Sequence, residues 1–207
     1  MVLLDDDRWH QLLADRVIPG AVASALANRT RRPLLGDGRL FFVAADHTAR
    51  GMLGVGSDPM AMTDRRGLLE RLLIALAHPG VDGVLGSPDV LEELALLGAL
   101  EGKVVAGTMN RGGLQGSVWE LDDPMTAYDA ASLVRSGFDA GKMLLRIDPA
   151  DTGSRATIVA CANAVSALAQ DDLMAMVEPL PYRRDESGKP GLDPDEVALT
   201  KAITVAS

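Results

Sequence analysis

At 207 residues the chain is long enough to bury a substantial core, and its 47% hydrophobic and 24% charged residues describe an ordinary globular protein. A formal net charge of -9 excludes the concentrated basic surface that a nucleic-acid backbone requires. The single Cys161 excludes a disulfide framework or a cysteine-based metal site, and the chain has neither a signal-like leader nor an apolar run of membrane-spanning length, so a cytoplasmic protein without membrane contact is expected.

Residues 5–29 have apolar positions at helical spacing (Trp9, Leu12, Leu13, Val17, then Val22 and Leu26), interrupted at Pro19-Gly20. Two short helices are expected there, and with the turn-rich segment that follows they form a lead-in over 1–38. Residues 40–45 are a continuous apolar run ending in Asp46-His47. Hydrophobicity without alternation marks a strand buried on both faces, as in a parallel sheet.

The pattern then repeats over 39–207. Residues 65–77 have helical spacing and are closed by His78-Pro79-Gly80; 81–85 read as a strand; 88–100 read as a helix with Asp89, Glu92 and Glu93 near its start, where the dipole favours acids. Residues 103–108 form a third strand, 126–136 a helix, 142–147 a fourth strand, 154–170 a helix, 173–177 a fifth strand and 193–205 a helix begun by Asp193-Pro194.

Five strand-then-helix units imply parallel strands joined by right-handed crossovers. A doubly wound open sheet and a closed (β/α)8 barrel both use this alternation. No Gly-x-Gly-x-x-Gly follows the first strand, whereas polar residues stand at the carboxyl ends of many different strands, so the α/β barrel is favoured. A complete barrel takes about 250 residues, so only the first five units of a (β/α)8 TIM barrel are expected in this chain, which then reads as C-terminally truncated.

Lys142 is the informative residue. Of four lysines it alone falls inside a strand, and period-two alternation puts Lys142, Leu144, Arg146 and Asp148 on one side. A lysine removed from water is costly unless it is paired or chemically employed. An ion pair with Asp148 or Glu178 is one reading, and a site for carbonyl chemistry with a nearby carboxylate as proton shuttle is the other. Asn110-Arg111-Gly112-Gly113 loosely matches an anion-binding turn.

Three strings, Phe41-Phe-Val-Ala-Ala-Asp-His47, Asp139-Ala-Gly-Lys-Met-Leu-Leu-Arg146 and Met176-Val-Glu-Pro-Leu-Pro-Tyr182, resemble class I aldolases of the deoxyribose-phosphate and tagatose-bisphosphate type, in particular a bacterial branch of aldolase-like (β/α)8 proteins. The resemblance implies a lyase of carbohydrate metabolism that cleaves a phosphorylated sugar or sugar acid through a lysine Schiff base, with no metal and no cofactor. By position it assigns catalytic roles to Lys142, Glu178 and Asp46, with His47, Asn110, Arg146 and Asp148 as substrate contacts. The imine-forming lysine of that family stands on a sixth strand, which would begin beyond Ser207. Enzymatic activity of this chain is therefore left open. The partner expected is a small sugar phosphate, with homo-oligomers allowed. Two alternatives stand beside it: a metal-assisted aldolase or isomerase using Asp46, His47, Asp148 and Glu178, and a non-catalytic barrel fragment that binds a ligand or partner.

Overall fold

The computed structural model describes residues 4–36 and 38–207. Among them are seven α-helices and six strands: α1 (Asp6–Arg16), α2 (Ala21–Asn28), β1 (Phe42–Ala45), α3 (Arg65–Ala77), β2 (Gly83–Gly86), α4 (Pro88–Leu96), β3 (Val104–Thr108), α5 (Ala130–Arg135), β4 (Ala140–Ile147), α6 (Thr152–Gln170), β5 (Met174–Arg184), β6 (Pro190–Leu192) and α7 (Glu196–Ala206). The chain divides into two compact units, Met1–Gly107 with Leu133–Asp139, and Thr108–Ser132 with Ala140–Ser207.

In the first unit β1, β2 and β3 pair in parallel. The Gly-Val-Leu-Gly sequence of β2 follows from its position: a Cβ at Gly83 would lie 2.3 Å from the Val104 carbonyl oxygen and 2.8 Å from the Phe42 ring. Only glycine permits that approach. Helix α1 starts at Asp5, whose carboxylate accepts from the Arg8 amide at 2.9 Å, and it carries Asp6 and Asp7 in the first turn. Glu93 of α4 is buried and holds both Arg16 of α1, at 2.9 Å, and Arg65 of α3, at 2.6 Å. Asp139 works similarly at the far end of the unit, taking the Val105 amide at 2.9 Å and facing the Arg29 and Arg31 guanidiniums.

In the second unit β4 and β5 run parallel over eight residue pairs, from Ala140 opposite Met174 to Ile147 opposite Pro181. The odd-numbered residues of β4 face α6. Gly141 sits against Leu168, where a Cβ would approach within 2.9 Å, and Leu145 shares a small cavity with Ile158 and Cys161. The even-numbered residues, Lys142, Leu144 and Arg146, take the other face. Helix α6 is capped by Asp151, which accepts from the Gly153 amide at 2.8 Å.

Several expectations are corrected. Six strands are present among the described residues, and β6 runs antiparallel to β5, pairing Tyr182 with Leu192 and Arg184 with Pro190. The fold is therefore mixed α/β with mostly parallel strands, and the (β/α)8 TIM barrel led by N-terminal helices is overturned. The reason lies in β5. The stretch Glu178-Pro-Leu-Pro-Tyr182 reads as a strand end because proline has no N–H to donate, yet the strand continues through both prolines to Arg184 and turns back at Gly188, whose φ is +82°. Helix α4 stops at Leu96, before Gly98 with φ +69°, rather than reaching residue 100. Helix α5 starts at Ala130, four residues later than its apolar spacing suggests. Helix α7 is capped by Asp195, which accepts from the Val197 amide at 3.1 Å, in place of Asp193. No helix among the described residues is long and apolar enough to cross a membrane.

Candidate functional site

Strands β4 and β5 carry two charged groupings on one face, and they are built differently. Lys142 stands opposite Met176 and Leu144 stands opposite Glu178, so the lysine reaches diagonally along the neighbouring strand. Its Nζ lies 2.7 Å from Glu178 Oε2. The two ends of this pair differ in environment: the Lys142 side chain is 4% exposed and that of Glu178 is 49% exposed. The ammonium is thus withdrawn from bulk water while the carboxylate remains open to whatever occupies the space above the strands.

Four residues along the same face, Arg146 is enclosed. Its Nη1 donates to Glu120 Oε1 at 3.1 Å, and its Nη2 donates to Asp123 Oδ2 at 3.3 Å and to the Gly113 carbonyl at 2.9 Å. All three charged groups are buried. The Tyr182 ring lies 5.8 Å from the guanidinium carbon. The loop after β3 is thereby strapped onto β4, and Gly113 is required at the strap because a Cβ there would sit 2.3 Å from both Arg146 Nη2 and the Glu120 carbonyl oxygen. The Asp123 amide donates to Thr157 Oγ1 at 2.9 Å, tying the same loop to α6. Cys161, on that helix, is buried near Asp123, and burial first, then the carboxylate, pushes its thiol up to about 11. It is a packing residue, not a nucleophile.

Asn110 is wholly buried and acts on the backbone of β4. Its Nδ2 donates to the Leu144 carbonyl at 2.7 Å while its Oδ1 accepts from the Leu144 amide at 2.9 Å. The Met109 amide donates to the Lys142 carbonyl at 2.9 Å. Together these contacts extend strand-like pairing past Thr108 and fix the segment on which Lys142 stands. Asp148 closes β4: its Oδ1 accepts from the Ala150 amide at 2.9 Å and its own amide donates to Ser154 Oγ at 2.9 Å, while Oδ2 is buried without a hydrogen-bond partner.

Asp46 and His47 belong to the first unit, at the end of β1. Asp46 is buried and its Oδ2 accepts from Arg50 Nη1 at 3.0 Å, whereas His47 is half-exposed with Nδ1 3.9 Å from Asp46 Oδ1. Of the residues singled out by sequence, Lys142 and Glu178 are therefore brought into contact, Arg146 is committed to carboxylates that sequence reasoning missed, and Asn110 serves the backbone. Glu120 and Asp123 gave one signal: acids in a glycine-rich loop following a strand, in a chain with an unexplained strand arginine. Among the described residues no group of three or more His, Cys, Asp or Glu side chains is arranged to hold a metal ion.

Comparisons with known proteins settle the family. No functionally curated protein matches the chain. The crystal structure of Cgl0159 from Corynebacterium glutamicum (Brevibacterium flavum), a structural-genomics target, is 44% identical with a TM-score of 0.94, over 98% of this chain and 69% of that one. A family model described as Cgl0159-like matches residues 38–207. These matches, with the mixed strand directions, correct the resemblance to class I aldolases and the lyase and TIM-barrel descriptions that came with it. The chain belongs to the Cgl0159-like family.

Proposed function

We propose that the Lys142–Glu178 couple is an acid–base site that moves a proton at the carbon next to a carbonyl group in a small molecule. The observation that carries this reading is the asymmetry of the pair: a buried ammonium 2.7 Å from a carboxylate that is half open to solvent. A purely structural ion pair gains little from such a one-sided setting, because water screens the exposed partner. A reacting pair benefits from it. A carbonyl oxygen arriving at Lys142 Nζ displaces Glu178 Oε2 as hydrogen-bond acceptor and leaves the carboxylate close by as base. Glu178 takes the proton from the adjacent carbon, the electron pair of that bond moves to the carbonyl oxygen, and the ammonium stabilises the charge that develops there. Return of the proton completes the cycle.

Rigid support for Lys142 fits the same reading, since Asn110 and Met109 clamp the β4 backbone at Leu144 and Lys142. The test is exchange of carbon-bound hydrogen in D2O, followed by NMR on acetone, hydroxyacetone and dihydroxyacetone. Exchange above the buffer rate is expected with the native chain, with loss of at least about a hundredfold in Glu178→Gln and in Lys142→Met, in the range of one missing general acid or base. Equal rates in the native chain and both variants would overturn the proposal.

A further inference from the structure

The Asn110-Arg111-Gly112-Gly113 turn after β3 has no use in the reading above beyond its first residue. Its backbone already holds an anion that belongs to the chain: the Gly113 amide donates to Asp123 Oδ1 at 2.9 Å. What remains is the Arg111 side chain. Arg111 is exposed, and among the described residues its guanidinium has neither a carboxylate nor a hydrogen-bond partner. A shortage of acids does not account for this, since the chain has 29 acidic and 20 basic residues. Arg146, Arg183 and Arg184 of the same unit are each ion-paired.

The backbone on both sides of Arg111 is fixed. Before it, Asn110 grips both backbone groups of Leu144, the residue opposite Glu178. After it, the Gly113 carbonyl accepts from Arg146 Nη2 at 2.9 Å. Across the loop, the Arg111 amide donates to Thr126 Oγ1 at 3.3 Å and the Ala127 amide to the Met109 carbonyl at 2.9 Å. A Cβ at Gly112 would lie 2.6 Å from Pro124 Cδ, so the glycine is packed as well. Arg111 is thus anchored between the contacts to Leu144 and to Arg146, a little beyond Lys142 along β4. At ~3.3 Å per residue this puts it ~7–13 Å along the strand from the Lys142 backbone, a gap that two long side chains bridge with a short ligand between them.

Resting on the acid–base reading of Lys142 and Glu178, we propose that Arg111 binds the anionic end group of the substrate. The substrate is then a carbonyl compound carrying a carboxylate or a phosphate a few bonds from the reacting carbonyl. A guanidinium presents a planar fork of donors that matches either group. A protein of net charge -9 repels anions at long range, so the cation that captures one has to stand clear of the chain's own carboxylates. Arg155 also has no partner among the described residues, but it stands on α6, which packs against the opposite face of β4. It serves as the control.

The test compares deuterium exchange of levulinate with that of methyl propyl ketone, and of dihydroxyacetone phosphate with that of dihydroxyacetone. In the native chain an anionic compound is expected to exceed its neutral partner in kcat/KM by at least about tenfold, as befits a charged hydrogen bond. Arg111→Gln should abolish that advantage through KM and leave kcat, the neutral partner and the circular dichroism unchanged. Arg111→Lys should restore part of it, and Arg155→Gln should alter nothing. An advantage confined to levulinate assigns a carboxylate and one confined to the phosphate assigns a phosphate; both support the proposal. Equal rates within both pairs in the native chain, or an equal loss for both members of a pair in Arg111→Gln, would overturn it. Binding of the same four compounds, followed by NMR titration, separates the two readings. Anion binding that weakens at least about tenfold in Arg111→Gln, without exchange of any compound, refutes the acid–base chemistry and keeps the anion site. Exchange of the neutral ketones that needs Glu178 while anion binding ignores Arg111→Gln does the reverse, and anion binding that ignores Arg111→Gln without any exchange refutes both.

Discussion

Lys142 and Arg146 stand four residues apart on the same face of one strand, both are almost fully buried, and both are ion-paired, yet their partners are set differently. Arg146 lies among two buried carboxylates, a backbone carbonyl and an aromatic ring. Its planar fork meets several acceptors at once, and the groups it meets are themselves out of water, which is the arrangement of a structural clamp. Lys142 reaches a carboxylate that water also reaches. The difference lies in the partner's environment and not in the cation's burial. An ion pair closed at both ends holds a loop, and one open at one end can exchange its partner.

The sharpest way to break this comparison is to remove the clamp. Arg146→Met strips Glu120 and Asp123 of the cation they share, and a loss of about 3–5 kcal/mol is expected in urea unfolding. Gly113→Ala keeps every charge but drives a methyl group against Arg146 and the Glu120 carbonyl. About 1–3 kcal/mol should be lost, with protection from proteolysis falling in the 113–123 loop. Glu178→Gln acts on the open pair and should cost less, about 1–2 kcal/mol, because its carboxylate is hydrated. If it destabilises as much as Arg146→Met, the distinction between the two pairs fails.

The smallest effect is expected at a third pair. Asp151, the cap of α6, is hydrogen-bonded to Arg184, and that contact holds its carboxyl below the ordinary value of 3.8 against a weaker opposing push from burial. A carboxyl lowered in the folded state contributes stability that is fully present above the unfolded value and is lost as pH falls through the folded one. The melting temperature of the native chain should therefore decline more steeply below about pH 4 than that of Asp151→Asn. The difference should stay within about 1 kcal/mol, since Arg184 is partly exposed.

Much of the secondary structure was legible from local pattern. A continuous apolar run located β1, period-two alternation located β4, and helical spacing located α1, α2, α3 and α6. Errors cluster where a residue's local tendency opposes its tertiary setting. Pro179 and Pro181 argue against a strand, yet β5 runs through them, and proline is tolerated in a strand that pairs on one side only along that stretch. Lys142 and Glu178 were legible as candidates because parity along two strands can be counted. Glu120 and Asp123 were not, because loop residues have no period, and their approach to Arg146 depends on a glycine that admits them.

Composition, charge and apolar spacing by themselves determined an alternation of strands and helices, a net negative charge and a lysine inside the β4 segment, but not the mixed strand directions, since all strands were expected to be parallel. Those properties are local, or follow from solvation of single residues. Only the tertiary structure decided which carboxylate meets which cation, that β6 runs backwards against β5, and that Asn110 serves the β4 backbone. These depend on register between segments tens of residues apart, where a shift of one residue turns every side chain to the opposite face.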